Sequence, residues 1–257
     1  MPPGAIMMAR RDEEIFSILQ EYSACDVSDA LLKLEAVPKG GTCYAGFIAD
    51  IVLSLTYQKH QVPFSPSNKD VEKQPKIIGY ASTVKFMPKA DLSPAESLDG
   101  EHGFPPGTHW VDHTEADTVV LLDQPENQKC AVLGGIMASR MKVRGAKGAV
   151  VNGRVRDLAE LRGLQFPVWA RATSTVGTGA EAKAVLRNVP ICIQGVTVSP
   201  GDILFCDPLE GVVVIPLGLV NDVLELMPKL VAADEKVKTD VSNGSTVFEA
   251  FKKHRNG

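Results

Sequence analysis

The spacing of hydrophobic residues predicts helices at the beginning of the chain, followed by isolated strands. Residues 11–34 carry apolar side chains on one helical face, and Ser28-Asp29 is expected to cap a second short helix within them. Residues 43–57 and 77–86 have the apolar, β-branched character of strands. Two polar segments rich in proline or glycine are predicted to be surface insertions, at 58–76 and 88–116.

The middle of the chain alternates between strand-like and helix-like segments. A helix is expected to start at Gly134-Gly135 and to end at Gly145, and a shorter one is expected over 158–162, ended by Gly163. Short apolar runs predict buried strands at 118–122, 149–151 and 167–170. This alternation indicates βαβ units and a parallel or mixed sheet.

The last third changes to strands and then to helix. Strands are predicted at 191–198, 203–206 and 212–215, separated by turn sequences that contain proline, glycine and aspartate. The tail over 219–253 is expected to be helical, with a break near Asn243-Gly244. We therefore predict a single α/β domain over residues 1–257, with a mixed central sheet and flanking helices.

Composition excludes several classes of function. The formal net charge of −4 argues against a nucleic-acid partner recognised by a basic surface. No apolar run is long enough to cross a bilayer, and the N-terminal arginines follow the apolar patch, which is the wrong order for a secretory signal. The five cysteines are scattered and form no C-x-x-C pair, so they predict reduced thiols and no structural zinc site. The composition thus favours a cytoplasmic protein with no membrane partner.

The glycine pair Gly134-Gly135 is the first candidate site. Glycines at a helix start leave backbone N–H groups unobstructed, and the helix dipole adds positive potential, so a small carboxylate or phosphate could bind there. A tight strand-to-helix turn explains the same residues without any ligand, because glycine supplies backbone freedom. The pair alone leaves both explanations open.

The second candidate is Arg156-Asp157, just past the predicted strand 149–151. Asp157 followed by Glu160 three positions later matches a capping box, in which case Arg156 is an ordinary ion-pair partner. The same carboxylate is also a suitable hard ligand for Mg²⁺. The adjacent guanidinium can hold a carboxylate at two points. Structural and chemical roles are both open at this stage.

Three further segments suggest chemistry less strongly. Residues 177–182 fit the G-x-G-x-x-A form, but the helix after them must end before Pro190 and no suitable acidic residue follows, which argues against a dinucleotide site. The run His109–Glu115 has two histidines and two carboxylates, yet its spacing matches no zinc motif and favours a solvated loop. Lys142 and Lys147 occupy polar positions where no desolvation is expected, so a Schiff-base role is disfavoured.

Four segments taken together are specific. The chain contains, in order, CDVSDAL, GGIMASRMKVRGAKGAVVNGRVRD, FPVWA and VTVSPGDILFCDPLEGVVVIP. This combination resembles the RraA-like (ribonuclease E regulator-like) family over residues 24–253, apart from the two insertions. The resemblance implies a swivelling β/β/α fold that assembles as a homotrimer or hexamer, with active sites between subunits.

The resemblance also implies an activity. The family includes divalent-metal-dependent 4-hydroxy-4-methyl-2-oxoglutarate aldolases that also decarboxylate oxaloacetate. By this resemblance the protein is a lyase that uses Mg²⁺ or Mn²⁺ and cleaves a C–C bond of a small 2-oxo acid through a pyruvate enolate. Some relatives are protein regulators, so a non-catalytic binding role on the same trimeric scaffold is the alternative.

The resemblance assigns roles to individual residues. Asp157 matches the metal-ligating aspartate, and Arg156 matches the arginine that binds the substrate carboxylate and oxygen. Glu235, in the C-terminal helix, is the best match to a glutamate that a neighbouring subunit places near the metal's waters. Backbone amides that hold the pyruvate-like end are expected from Gly134, Gly135, Ile136 and Met137.

Overall fold

The computed structural model describes residues 3–34, 43–53, 75–91 and 101–255. The chain divides into two compact units, one made of residues 1–45 and 218–257 and the other of residues 46–217. The single domain over 1–257 stays a prediction, and most of the expected insertion at 58–76 lies outside the described residues.

Helices are named in chain order over the described residues. They are α1 (Pro3–Gln20), α2 (Ala24–Leu34), α3 (Gly135–Val143), α4 (Leu158–Leu164), α5 (Val220–Ser242) and α6 (Val247–His254). Among them, no helix is both long enough and apolar enough to cross a bilayer.

Strands are numbered in the same way. They are β1 (Phe47–Ile48), β2 (Val52–Leu53), β3 (Ile77–Pro88), β4 (Thr118–Asp123), β5 (Gly148–Val155), β6 (Val168–Thr173), β7 (Ala182–Arg187), β8 (Ile191–Ile193), β9 (Val196–Val198), β10 (Ile203–Asp207) and β11 (Gly211–Ile215).

The first unit consists of helices α1, α2, α5 and α6, and α5 contacts the other three. Helix α2 begins at Ala24, because Ser23 and Asp26 cap each other: Ser23 N–H donates to Asp26 Oδ2 at 2.8 Å and Asp26 N–H to Ser23 Oγ at 3.1 Å. The predicted cap at Ser28-Asp29 is therefore wrong. Those residues lie inside the helix, and Ser28 Oγ donates to the Ala45 carbonyl.

The predicted break near Asn243-Gly244 is confirmed. Helix α5 ends at Ser242, and Gly244 has a φ of 96°, a left-handed conformation that glycine adopts without steric cost. Helix α6 then starts with a full capping box between Thr246 and Glu249.

The second unit is built on a nine-stranded mixed sheet. Its order is β1-β11-β10-β3-β4-β5-β6-β2, and β7 also pairs with β3. Strands β3, β4, β5 and β6 are parallel, and the remaining pairs are antiparallel. The mixed α/β architecture predicted from the alternating pattern is confirmed. The parallel centre is buried on both faces, which explains why its strands are continuous apolar runs.

Successive residues of each central strand point to opposite faces of the sheet. On one face, Val120 and Leu122 pack with α3 and α4 residues such as Met141 and Leu161; we call this the helix face. On the other, Leu121 packs in a second core with residues of the two-stranded β8–β9 sheet; we call this the hairpin face. The sheet thus carries two separate cores.

Several element boundaries differ from expectation, and two of them have a local backbone cause. The strand predicted over 191–198 is a hairpin, because Gln194 and Gly195 take φ values of 50° and 88° and reverse the chain within an apolar run. Helix α4 continues past Gly163 and ends at Leu164, and the next residue, Gln165, adopts the left-handed conformation and donates its N–H to the Arg162 carbonyl.

A buried threonine on β3 provides a test of the packing. Thr83 is fully buried, and its hydroxyl donates to the Val189 carbonyl at 2.7 Å and accepts from the Val189 N–H at 3.0 Å. Thr83→Val keeps the shape but removes both bonds, so we expect the free energy of unfolding to fall by about 1–3 kcal/mol in a urea titration.

The matched control is Thr118→Val. The Thr118 hydroxyl donates to the Glu115 carbonyl at an exposed position, where we expect a change within about 0.5 kcal/mol. Equal losses for the two variants would contradict the assignment of the Thr83 hydrogen bonds as stabilising.

Candidate functional site

One pocket on the helix face has a volume of about 450 Å³ and brings together four sequence segments that are far apart in the chain. They are the Gly134 turn, the Arg156-Asp157 pair, the 177–179 segment and the His109-Trp110 pair. The sequence suggested roles for the first two of these segments and argued against a ligand role for the other two. Their convergence at the carboxyl ends of parallel strands is the usual position of a ligand site in an α/β sheet.

The turn at Gly134 is fixed by backbone pairing with the end of β5. Leu133 bridges to Val155, and the Arg156 N–H donates to the Leu133 carbonyl at 3.0 Å. Helix α3 then starts at Gly135, and the Gly134 carbonyl accepts the first helical bond from Ala138 N–H. The amides of the first turn have no i−4 carbonyl within the helix, so they need partners from elsewhere.

Asp157 supplies one of these partners. Its Oδ2 accepts the Gly135 N–H at 3.1 Å and lies 3.4 Å from Arg156 Nε. A carboxylate at this place is favoured by the positive end of α3. Asp157 therefore joins the two candidate sites that the sequence left separate.

The predicted capping box over Asp157 and Glu160 is wrong. Asp157 does occupy the N-cap position of α4, but its side chain makes no capping bond there. Its backbone is left-handed, with φ 60° and ψ 42°, and its carboxylate caps α3, the neighbouring helix. The contribution of Asp157 to α4 is a backbone hydrogen bond, in which its carbonyl accepts the Leu161 N–H.

Close approach explains both glycines of the pair. A Cβ at Gly134 would lie 2.5 Å from Asp157 Oδ2 and 3.2 Å from Arg156 Cγ. A Cβ at Gly135 would collide with the Glu160 carboxylate. Backbone freedom is not the reason at Gly134, whose φ of −142° is open to any residue. The glycines make room for the charged side chains.

Arg156 extends along the 177–179 segment. A Cβ at Gly177 would lie 3.0 Å from Arg156 Nη1, and Gly177 is held by a bridge to Ala131. The residues that follow form a 3₁₀ turn, Thr178–Ala180, and then strand β7. A dinucleotide fingerprint is followed by an α-helix, and these residues form none. This agrees with the inference that the 177–182 motif is not a dinucleotide site. Instead the segment lines the pocket beside the guanidinium.

The His109–Glu115 segment forms another wall of the pocket. Residues 110–113 make a 3₁₀ turn, and the Trp110 ring meets the buried Phe86 ring edge-on, with centroids 5.5 Å apart. Asp112 is paired with Arg140 at 2.7 Å, and this hydrogen bond lowers the pKa of the Asp112 carboxyl. Over the described residues, no three His, Cys, Asp or Glu side chains cluster as a metal site.

The remaining candidate residues lie elsewhere. The ammonium groups of Lys142 and Lys147 donate to the carbonyls of Leu164 and Ile78, and neither lysine lines the pocket. Glu235 lies on α5 in the first unit, with an exposed carboxylate 2.7 Å from Lys238 Nζ. Its expected partner is the site of a neighbouring subunit, so its role stays a prediction.

Sequence reasoning missed Lys183 and Trp110 as pocket residues. Lys183 lies on β7 and donates from Nζ to the Asp91 carbonyl at 2.5 Å. Both residues stand in segments without a recognisable motif, and they reach the pocket only through the pairing of β7 with β3 and the packing of Trp110 on Phe86.

Asp157 is the one carboxylate among the residues that line the pocket, and it is the candidate ligand for a divalent cation. Both contacts of the Asp157 carboxylate use Oδ2, and Oδ1 has no partner among the described residues. The side chain is 35% exposed and lines the pocket. Mg²⁺ is commonly held by one or two carboxylates together with waters and substrate oxygens, so this donor set fits such an ion.

Two curated relatives match most of this chain. A protein of Halalkalibacterium halodurans named "Putative 4-hydroxy-4-methyl-2-oxoglutarate aldolase" is 27% identical over 183 residues, which are 71% of this chain and 80% of that protein. Protein DlpA of Legionella pneumophila is 28% identical over 184 residues, which are 72% of this chain. The match spans only 28% of the length of DlpA.

Two solved structures share the fold. An uncharacterized protein from Pseudomonas syringae pv. tomato has a TM-score of 0.65 at 22% identity, over 93% of this chain and 96% of that one. Streptomyces coelicolor RraAS2, described as an unusual member of the RNase ES inhibitor RraA protein family, has a TM-score of 0.62 at 20% identity, over 90% of this chain and 96% of that one.

The family profile described as RraA-like, Aldolase/RraA, matches residues 24–214, which include the whole Gly134, Arg156-Asp157 and 177–179 site. The chain belongs to the RraA-like family.

Proposed function

We propose that this protein is a divalent-metal-dependent lyase that cleaves a C–C bond of small 2-oxo acids. The observation that carries the proposal is the pairing of Arg156 with Asp157, whose carboxylate is held at the start of α3 inside the pocket. The name of the H. halodurans relative suggests the substrate class, 4-hydroxy-4-methyl-2-oxoglutarate and related 4-hydroxy-2-oxo acids. Oxaloacetate decarboxylation is proposed as a second reaction, because it forms the same product.

Both reactions need the same stabilisation. Breaking the C3–C4 bond leaves an electron pair on the pyruvate fragment, as its enolate. The Arg156 guanidinium is a fixed cationic donor for the carboxylate and oxygen of that fragment. The Arg156 side chain is 42% exposed. Since Gly135 N–H is engaged by Asp157, the amides of Ile136 and Met137 are the ones proposed to orient the substrate carboxylate.

Asp157 is proposed to hold the cation, Mg²⁺ or Mn²⁺, through Oδ1. When bound, the cation supplies Lewis-acid stabilisation of the negative charge on the substrate oxygens. The Gly135 N–H and the Arg156 Nε keep Oδ2 in place, so the orientation of Oδ1 is set before any ligand arrives. This preorganisation is what electrostatic catalysis requires.

Assembly belongs to the same proposal. We propose a homotrimer or hexamer in which Glu235 of a neighbouring subunit helps to move a proton at the site. Glu235 is exposed, and among the described residues its carboxylate is paired only with Lys238 across one turn of α5, a weak surface interaction that a subunit contact can replace.

A protein-binding regulator is the second candidate. It is favoured by two large apolar side chains exposed on the surface of α3, Ile136 and Val143, which are 74% and 73% accessible. The RraAS2 description speaks of an RNase inhibitor family, and we carry that role to this chain only as an alternative. Absence of turnover on any 2-oxo acid, together with stoichiometric recovery of a protein partner, would favour it.

The metal proposal predicts the effect of changing Asp157. We expect Asp157→Asn to reduce metal-stimulated pyruvate release by about two to three orders of magnitude, as for loss of one key electrostatic contact. EDTA should have a similar effect on the unaltered protein. Titration calorimetry with Mn²⁺ should show weakened binding, which tests the metal site without turnover.

Asp117→Asn is the matched control. Asp117 is exposed and has a left-handed φ of 62°, close to the 60° of Asp157, so any backbone effect of asparagine is shared by the two variants. We expect unchanged pyruvate release. Full activity of Asp157→Asn without added metal would overturn the metal mechanism.

The role of Arg156 predicts that lysine cannot replace it. Arg156→Lys keeps the charge but removes the two-point fork, so we expect kcat/KM on oxaloacetate to fall about a hundredfold. Steady-state measurement of pyruvate release gives this ratio. A value equal to that of the unaltered protein would show that only the charge matters.

The close packing at Gly134 predicts a third effect. Gly134→Ala places a Cβ against Asp157 Oδ2 and Arg156 Cγ, so both groups must shift and pyruvate release should be lost with the fold retained. Gly163→Ala is the control, since that glycine lies in α4 with no atom near its Cβ position. It should raise the free energy of unfolding by about 0.5–1 kcal/mol and leave activity unchanged. Equal activities of the two variants would contradict the packing argument.

A further inference from the structure

A second pocket, of about 490 Å³, lies beside the β8–β9 hairpin. Its walls come from the carboxyl ends of β4 and β5, the loop over 124–129, the end of β6 and hairpin residues 192–194. It shares no lining residue with the pocket that contains Arg156 and Asp157. Its lining is mainly polar and charged, which differs from the largely apolar lining of most ligand pockets.

Two carboxylates line this pocket, the exposed Glu126 and the half-buried Asp123. Asp123 pairs in register with Asn152 on β5, and Asn152 Nδ2 donates to Asp123 Oδ1 at 2.7 Å. Asp123 Oδ2 has no partner among the described residues. Burial raises the pKa of the Asp123 carboxyl despite the Asn152 hydrogen bond, because a neutral amide compensates only part of the lost hydration.

Arg171 provides a positive charge in the same pocket. Both of its Nη atoms donate to the Gln194 side-chain oxygen, at 3.1 and 3.2 Å, in the amide orientation that satisfies both residues. Its Nε is buried and has no hydrogen-bond partner in the part of the chain that the structure describes. A buried donor without a partner costs free energy unless a water or a ligand group satisfies it.

Asp123 and Arg171 form no ion pair with each other among the described residues. Asn152 donates to the Asp123 carboxylate, and the Gln194 side-chain oxygen accepts from the Arg171 guanidinium. Arg154 is a further cation in the pocket and is tied to the Thr173 carbonyl at 3.0 Å. The pocket thus presents separated charges of both signs around open space.

We propose that this pocket binds a small zwitterion, an α-amino acid being the simplest example, with its ammonium group on Asp123 and its carboxylate between Arg171 and Arg154. Such a ligand forms an ion pair at each of its ends, one between its ammonium group and Asp123 and one between its carboxylate and the arginines. A simple carboxylate would satisfy the arginines but leave Asp123 facing another anion. A simple amine would satisfy Asp123 and leave the arginines unpaired.

The inference does not depend on the proposed lyase activity. Cys192 gives a readout inside the pocket, because its thiol is exposed and belongs to the lining. The rate at which iodoacetamide alkylates Cys192, followed by peptide mass spectrometry, should fall when the pocket is filled. Cys25 is also exposed and is not part of this lining, so its alkylation rate is an internal control in the same sample.

The experiment compares alanine with propionate and ethylamine over a concentration series. We expect alanine to slow alkylation of Cys192 saturably and to leave Cys25 unaffected, with propionate and ethylamine protecting at least about tenfold more weakly. Protection by propionate equal to that by alanine would overturn the zwitterion assignment. The absence of protection by any of the three would mean that water alone fills the pocket, and would overturn the site.

Two variants locate the ligand. Asp123→Asn and Arg171→Gln should each weaken protection by alanine about ten- to a hundredfold, the loss expected for one hydrogen bond to a charged group. Asp123→Asn should also bring propionate up to the level of alanine, because the repelling carboxylate is gone. Asp117→Asn, just before the opposite end of β4, is the control and should bind as the unaltered protein does. Protection by alanine that survives both pocket variants would contradict the proposed contacts.

Discussion

The candidate site depends on one hydrogen bond, from the Gly135 N–H to Asp157 Oδ2. This bond joins the start of α3 to the end of β5 and satisfies one of the helix's unpaired donors. The same oxygen lies beside the Arg156 Nε, so the helix, the strand end and the guanidinium are fixed together. The glycine at 134 follows from this bond, since a side chain there would occupy the space of Asp157, whereas Gly135 makes room for Glu160.

The scaffold makes this bond possible through its parallel strands. Strands β4 and β5 end at the same edge of the sheet, and the Leu133–Val155 bridge brings the α3 turn against the end of β5. The polar pocket beside the hairpin uses the same edge, and residues 152–154 of β5 line it. The end of β5 lines one pocket, and the two residues that follow it, Arg156 and Asp157, line the other. A substitution near this strand end therefore has to be assessed at both pockets.

Much of the fold was predictable from the sequence, because strands buried on both faces of the sheet are plain apolar runs. Strands β3, β4 and β10 were found in this way, whereas the β8–β9 turn was missed because Gln194-Gly195 interrupts the run without a proline or an aspartate. The sequence identified Asp157 as a candidate residue but predicted that its side chain caps α4, whereas it caps α3. A local motif cannot show that a side chain turns toward a helix 22 residues earlier. The contribution of Trp110 depends on packing between distant segments and had no local signal.

The backbone of Asp157 has a consequence for how this position can change. A left-handed conformation costs most residues about 1 kcal/mol, and glycine adopts it freely. Glycine at 157 would therefore relax the chain, but it would leave Gly135 N–H and Arg156 without their carboxylate. The backbone strain at 157 and the capping bond of its carboxylate are therefore opposing contributions of similar size, about 1 kcal/mol each. The protein thus holds a strained residue at the centre of its pocket with little net effect on stability.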